Sequence, residues 1–405
     1  MKKFVYLCGM MLLTLNMMAQ IDLSQGWSLV LDEQFSGNGR TWDTTYYEKR
    51  PSNIPVDSNW RCLWRVDSPG QIDGVTTSNY LHAYQRCNTL FNNGVLNDDK
   101  MRLVAEYISD DTLVCDGIPP VGYEIPRGTG HHCDTTKKNI HYYSGNIQSR
   151  NQSYEFGYYE IECALPIHKG IHTSFWLYGE HDDMMAGIHY YEEMDIMEYS
   201  KMDWDEDEQR GYSSGVWYKR KDIGSTVSLT QDDHYGYRNF HMPMTDPDIS
   251  HMHTYGCEWM PDHIIFYRDG QVTHEFYDTC HIPQYPKYIR TGYYIDHRAL
   301  TEPIWEGPDT IAINYIKVYK LNTDCETDEL VQNVQQLDQI DSMKRSITFS
   351  NTSGITLPST TNKILRASDY ILINGPFEIT TGAQLTLMVH ECPDYTNNYP
   401  NMSTP

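Results

Sequence analysis

In the segment Tyr191-Glu192-Glu193-Met194-Asp195-Ile196-Met197-Glu198-Tyr199, four acids fall within seven residues. If the segment is a strand, Glu193 and Asp195 share one face, and Met194 and Ile196 share the other, because side chains alternate. Strict alternation would then put Met197 beside the acids and Glu198 in the core. An unpaired carboxylate there costs several kcal/mol or gives up its charge through a raised pKa. One extra residue at a β-bulge returns Glu198 to the acidic face. Glu193 and Glu198 then stand four regular steps apart, about 13 Å at Cα for a rise of about 3.3 Å per residue. Two long side chains leaning together from that spacing bring their carboxyls to about 5–5.5 Å, the separation used by retaining glycosidases.

That chemistry needs the three acids for separate reasons. One carboxylate must be ionised to attack an anomeric carbon. Another must hold a proton for the leaving oxygen and later take one from water. Crowded like charges oppose simultaneous ionisation, so one pKa rises towards the working pH. Asp195, between the other two, is placed to hydrogen-bond the nucleophile. Spacing alone leaves open a solvated acidic stripe and a calcium-binding patch.

The surrounding elements read as strands. Tyr159, Ile161, Cys163 and Leu165 alternate with Glu160 and Glu162, and Pro166 ends the run, which predicts a half-buried strand. Ile264–Tyr267 and Gln271–Phe276 flank Asp269-Gly270, a pair that tolerates the positive φ of a tight hairpin turn. Ile311–Tyr319 is rich in Ile, Val and Tyr. Amphipathic helical runs are scarce, so a sandwich or jelly roll is favoured over an α/β fold. After Leu321 the composition turns polar. Val331–Met343 reads as a short helix or spacer, followed by β-like pieces at Ser346–Phe349, Tyr370–Ile373, Phe377–Thr380 and Gln384–Val389. All nine tryptophans lie at or before Trp305, so the tail lacks the usual stacking surface for sugars, and a structural or attachment role is expected of it. The predicted organisation is a signal peptide over 1–19, a catalytic domain over 20–322, and a linker with a small β module over 323–405.

Lys2, Lys3, an apolar run to Met18 and then Ala19 form the three-part pattern of a secretory signal. The expected location is periplasmic, cell-surface or secreted, with no transmembrane segment. The chain has 405 residues, 31 basic against 55 acidic, a formal charge of 31 − 55 = −24. That excess argues against nucleic acid as a partner and, more weakly, against a sulfated polymer. Of ten cysteines, nine remain without Cys8. The odd count and the lack of any C-x-x-C pair leave pairing open and disfavour zinc-ribbon or thioredoxin-like readings. His131-His132 and His251-x-His253 read as ordinary loop or structural residues rather than metal ligands, and no phosphate loop or serine elbow is present.

Seven ordered blocks resemble glycoside hydrolase family 16 in its β-bulge branch, whose Glu-x-Asp-x-x-Glu is matched by Glu193, Asp195 and Glu198. The other six are Leu31–Gly37, Tyr143–Ile147, Phe156–Ile161 with Leu165-Pro166, Ser174–Gly179, His253–Gly270 and Asn314–Tyr319. The resemblance covers roughly residues 25–321 and implies an all-β fold: a two-sheet β-jelly-roll sandwich with a concave substrate cleft. It implies Glu193 as nucleophile, Asp195 as its assisting carboxylate and Glu198 as acid/base. Glu160, Trp176 and Tyr191 match sugar-contacting positions. Asn146 stands where many laminarinases carry Arg, and Asn314 replaces an Asp that supports calcium together with an N-terminal Glu such as Glu33. Structural calcium at Glu33 and Asn314 is therefore a weak expectation, and no cofactor is required. Residues 182–190 form a longer segment than a minimal laminarinase would carry.

The expected function is a secreted, monomeric, retaining endo-β-glycosidase acting on a polysaccharide, first of all a laminarin-type β-1,3-glucan. A galactan of the agar or porphyran type, or a galactose-containing host glycan, is the alternative substrate. A non-catalytic glycan-binding jelly roll and a transglycosylase are alternative functions.

Overall fold

A computed structural model describes residues 21–35, 60–62, 71–72, 75–76, 82–84, 89–91, 100–107, 142–144, 146–149, 153–166, 171–183, 188–201, 212–222, 238–242, 249–295 and 309–395. The expected signal segment, Tyr143-to-Ile147's Gly145, and His131-His132 lie outside these residues. Among the described residues no helix is long and apolar enough to cross a membrane.

The body is a β-sandwich of the jelly-roll class. A ten-stranded sheet, including Trp27–Glu33, Gly157–Ala164, His253–Trp259, Ile264–Arg268 and Asp309–Leu321, faces a seven-stranded sheet. The second sheet includes Asn146–Ser149, Ile171–Asp183, Ile188–Lys201, Tyr212–Asp222 and Tyr288–Ile295. Alternation decides which side chains meet between them. Tyr159, Ile161 and Cys163 from one sheet, and Phe175, Leu177, Met194 and Val216 from the other, belong to a single buried cluster. The hairpin turn at Asp269-Gly270 has φ of 51° and 73°, the two positive values that a type I′ turn requires.

Residues 323–389 fold differently. Thr323–Val331, Met343–Ser350, Asn362–Asn374 and Gln384–Val389 form a four-stranded sheet in which all pairs are parallel. Ile355–Leu357 pairs in parallel with Phe377–Ile379. Partners are offset by 370 − 346 = 24, 377 − 355 = 22 and 384 − 362 = 22 residues. The chain therefore winds as a coil in which like residues stack. Phe349 lies on Ile373, Leu357 on Ile379 and Leu365 on Leu387, all within one apolar cluster. The stack is tight at Gly375, where φ is 130° and a Cβ would stand 2.8 Å from the Asn351 carbonyl oxygen. The short helix Val334–Asp338 follows the first strand of the coil, capped by Asn333, whose side chain accepts from the Gln336 N–H at 3.0 Å.

The coil sits on the outer face of the ten-stranded sheet. Trp27, Tyr158, Met260, Ile265, Tyr267, Leu321 and Met343 form a shared buried cluster, and Cys325 is bonded to Cys392 across the coil's two ends. Beside the cluster is a buried polar knot. Tyr267 donates to Glu258 at 3.0 Å, His263 lies 2.9 Å from Asp262 and 3.6 Å from Glu258, and its ring meets His390 edge-on at 5.3 Å. Burial alone would depress His263, but its hydrogen bond to Asp262 and the nearby Glu258 carboxylate raise it to about 9. Burial and the neighbouring His263 charge lower His390 to about 4.

Candidate active site

The strand Ile188–Lys201 lies between Ile171–Asp183 and Tyr212–Asp222. Its register breaks once. Asp195 pairs with Trp176, yet the next partner, Phe175, pairs with Met197. On the other side Asp195 pairs with Gly215, and the next recorded pair is Glu198 with Ser213. Ile196 is thus the surplus residue of a β-bulge. Ile196 and Met197, neighbours in sequence, are both buried in the core, as no regular strand allows. The buried Ser214 hydroxyl donates to the Ile196 carbonyl oxygen at 2.8 Å, satisfying a backbone acceptor that the broken ladder would otherwise strand. Glu193, Asp195 and Glu198 consequently share the face turned away from the core.

Asp195 is only 2% exposed. Burial, then the charges of Glu198 and Glu193, push its carboxyl well above the usual carboxylate range, and it shares hydrogen bonds with Glu193 and the Trp217 side chain. A protonated Asp195 can donate to Glu193 and leave the negative charge there. Its Oδ2 is buried without a partner. Glu198 is half-buried, and its Oε1 lies 3.2 Å from His172 Nε2, a contact that orients the carboxyl. One strand thus carries a hydrogen-bonded carboxylate pair and, beyond the bulge, a third acid held by His172.

On the adjoining strand Trp176 is opposite Asp195 and Tyr178 opposite Glu193, their rings edge-on at 5.6 Å. Arg290, next to Trp176 in register, places its guanidinium 4.9 Å from the Trp176 ring centre and 3.9 Å from that of Tyr178. Its Nε donates to Gln148 at 2.6 Å. His172, Trp217, Tyr178, Arg290 and Gln148 were not singled out by the sequence reading.

On the core side of the same strand, Glu192 and Lys287 form a buried ion pair, and Lys287 also donates to the Tyr285 carbonyl at 2.6 Å. Burial pushes the Glu192 carboxyl up and the Lys287 ammonium down, each partly offset by the partner's charge. Gly179, opposite Glu192, makes room: a Cβ there would stand 2.9 Å from the Pro286 carbonyl and 3.0 Å from Lys287 Cδ.

The structure brings Trp176 to the trio but not Glu160. Glu160 lies in the ten-stranded sheet, on the side of Tyr158, away from the core between the sheets. Its two oxygens accept from Tyr158 at 2.8 Å and Tyr315 at 2.7 Å. The expected sugar contact is thereby replaced by a tyrosine cluster on the back of the molecule. Asn146 is in the seven-stranded sheet opposite Gly292, and Tyr191 is in the trio's strand opposite Glu180. The side chains of both lie outside the described residues. Glu33 is buried and accepts from the Phe35 N–H at 2.8 Å, while Asn314 donates its amide to Glu162. Among the described residues no group of three or more His, Cys, Asp or Glu side chains is arranged to hold a metal. His253 is engaged by Asp269 at 2.9 Å.

Among solved structures, the chain is similar to the catalytic domain of an endo-1,3-beta-glucanase (laminarinase) from Thermotoga petrophila. That match has 17% identity and a TM-score of 0.46, covering 73% of this chain and 98% of that one. It is also similar to a Bacteroides ovatus mixed linkage glucan GH16 protein, at 16% identity and a TM-score of 0.47, with 71% and 99% covered. A third likeness is to the Bacillus licheniformis beta-glucanase, at 16% identity and a TM-score of 0.39, with 67% and 94% covered. No curated protein sequence matches the chain. A sequence model of glycosyl hydrolases family 16 matches residues 122–316, a span that contains the trio, its bulge, Trp176, Trp217 and Arg290. Residues 122–316 are thus similar to glycosyl hydrolases family 16, and the protein is a glycoside hydrolase.

Proposed function

We propose that the protein is an exported endo-β-glycosidase that cleaves internal bonds of a polysaccharide with net retention, and that its backbone substrate is a β-1,3-glucan of the laminarin type. The observation that carries the mechanism is the bulge at Ile196, which sets Glu193, Asp195 and Glu198 on one outward face. Glu193, charged because Asp195 holds the shared proton, attacks the anomeric carbon. Glu198 gives its proton to the leaving oxygen, then takes one from water as the glycosyl-enzyme is hydrolysed. His172 fixes the Glu198 carboxyl. The substrate reading is supported by the likeness of seven sequence blocks to the β-bulge branch of the family, which includes laminarinases, and export by the signal-like first 19 residues.

Three measurements test this together. A polysaccharide panel with sized products should give a ladder of oligosaccharides from an internal cut; monosaccharide release alone would exclude endo action. Glu198→Ala should lose on the order of 10²–10⁴ in turnover, the usual worth of a general acid. Glu193→Ala with azide should yield a glycosyl azide of inverted configuration. An azide of retained configuration would reassign the nucleophile.

A further inference from the structure

Next to the trio lies a cation that has no ion-pair partner among the described residues. Arg290 is half-buried on the seven-stranded sheet, two strands from Asp195 through Trp176, so about 10 Å away at a strand spacing of about 4.8 Å. Its only contacts among the described residues are the Nε bond to Gln148 and the rings of Trp176 and Tyr178. No carboxylate pairs with it there. Two further donors beside it, Gln148 Nε2 and Trp176 Nε1, are buried and lack acceptors. Because these two are closed to solvent, direct contact falls to the terminal nitrogens of the guanidinium.

Buried donors without acceptors are rare in native proteins and call for a cause. The two rings and the Gln148 bond hold the guanidinium in place, so it can bind a partner without the full rotamer cost of a free arginine. A planar pair of donors on a rigid support suits a group with two charged oxygens. A neutral sugar hydroxyl supplies no charge to match it.

We propose that Arg290 forms a subsite for an oxyanion substituent, a sulfate ester or a sugar carboxylate, on the polysaccharide bound across the trio. This rests on the glycosidase reading and narrows it: the preferred polymer carries negative groups at the sugar lying about two strands from Asp195. It also reverses the expectation, drawn from net charge, that a sulfated polymer is disfavoured.

The test uses the full chain carrying Glu193→Gln, so that ligands bind without turnover. Affinities are measured by calorimetry for laminarin and for agarose, each in neutral, chemically sulfated and C6-oxidised (carboxylate) form. The expected result is that at least one anionic form binds about tenfold more tightly than its neutral parent, that added salt erodes the gain, and that Arg290→Gln brings the ratio close to one. Arg290→Lys should keep part of the ratio, which guards against a variant that simply misfolds. Sulfate and carboxylate are told apart by which form gains. If no anionic form binds more tightly than its parent, or if Arg290→Gln leaves the ratio intact, the subsite is refuted. Cleavage of the neutral parents by the unmutated enzyme is scored separately, so that loss of the subsite and loss of the glycosidase reading give different results.

Discussion

Removing the Lys287 ammonium should cost more than removing any surface charge. Lys287 is fully buried and Glu192 nearly so, and Glu192 adjoins Glu193 in sequence. Lys287→Met leaves a carboxylate in the core with no counter-charge, and breaking a buried pair in this way typically costs about 3–5 kcal/mol. At about 2–4 °C per kcal/mol for a domain of this class, Tm should fall by roughly 10 °C. Glu192→Gln should be milder, because the ammonium keeps the Tyr285 carbonyl. The double variant should recover at least about 2 kcal/mol over the sum of the singles. The pH dependence supplies a second sign. Once unpaired, Glu192 has a pKa raised by burial above its unfolded value, so the folded state keeps a proton that the unfolded state loses as pH rises. The penalty should therefore be larger at pH 8 than at pH 5. Thermal and denaturant unfolding of the four proteins at both pH values measures all of this. Additive single effects, or a penalty below about 1 kcal/mol, would refute the claim that this pair anchors the catalytic strand.

Deleting Ile196 shortens Glu-x-Asp-x-x-Glu to Glu-x-Asp-x-Glu, in which strict alternation keeps Met197 in the core and Glu198 outward, so folding and part of the turnover should survive; complete loss of turnover in a folded variant would show that the bulge does more than set the face. His263 is raised to about 9, so its contribution to docking the coil is fully present below about 6.5 and is lost as pH rises through 9. His390 is lowered to about 4, so its contribution is present above about 6.5 and is lost as pH falls through 4. A Tm profile should show both limbs, and His263→Gln should flatten the alkaline one. Reducing Cys325–Cys392, which closes a span of 67 residues, should cost the coil up to about 4 kcal/mol in the loop-entropy picture, read as an earlier unfolding step in reductant. Truncation after residue 322 should lower the Tm of the sandwich, because it uncovers Trp27, Tyr158, Tyr267 and the buried Glu258; an unchanged Tm would mean that the coil is a passenger.

What the sequence made legible were conflicts that only one local geometry resolves. Met197 and Glu198 stood on the wrong faces of a regular strand, and one surplus residue corrects both. Asp269-Gly270 announced its turn by the φ values it tolerates. Alternation in Tyr158–Leu165 correctly separated core from polar faces but could not say which polar face. A sandwich has two outward sides, and Glu160 belongs to the side without the trio. His172, Arg290 and Gln148 share the trio's sheet face from strands that are separate in sequence, and only the register between strands brings them there. The coil escaped notice for a related reason. Its repeat of 22–24 residues is carried by runs of only three to six paired positions, polar and apolar mixed, too short to tell parallel stacking from hairpins.

The first described residues are held by nearly the last. Gln25 donates to the Asn362 carbonyl and accepts from the Ile364 N–H, and Arg366 reaches back to the Gln25 carbonyl. A ribosome releases Gln25 more than 330 residues before these partners exist. Until then Trp27 and its neighbours must wait with their apolar faces open to water, and contacts this distant in sequence form slowly. Synthesis of this enzyme therefore includes an interval in which the catalytic sandwich is complete in sequence yet exposed to aggregation, and it closes only when the final turns of the coil emerge.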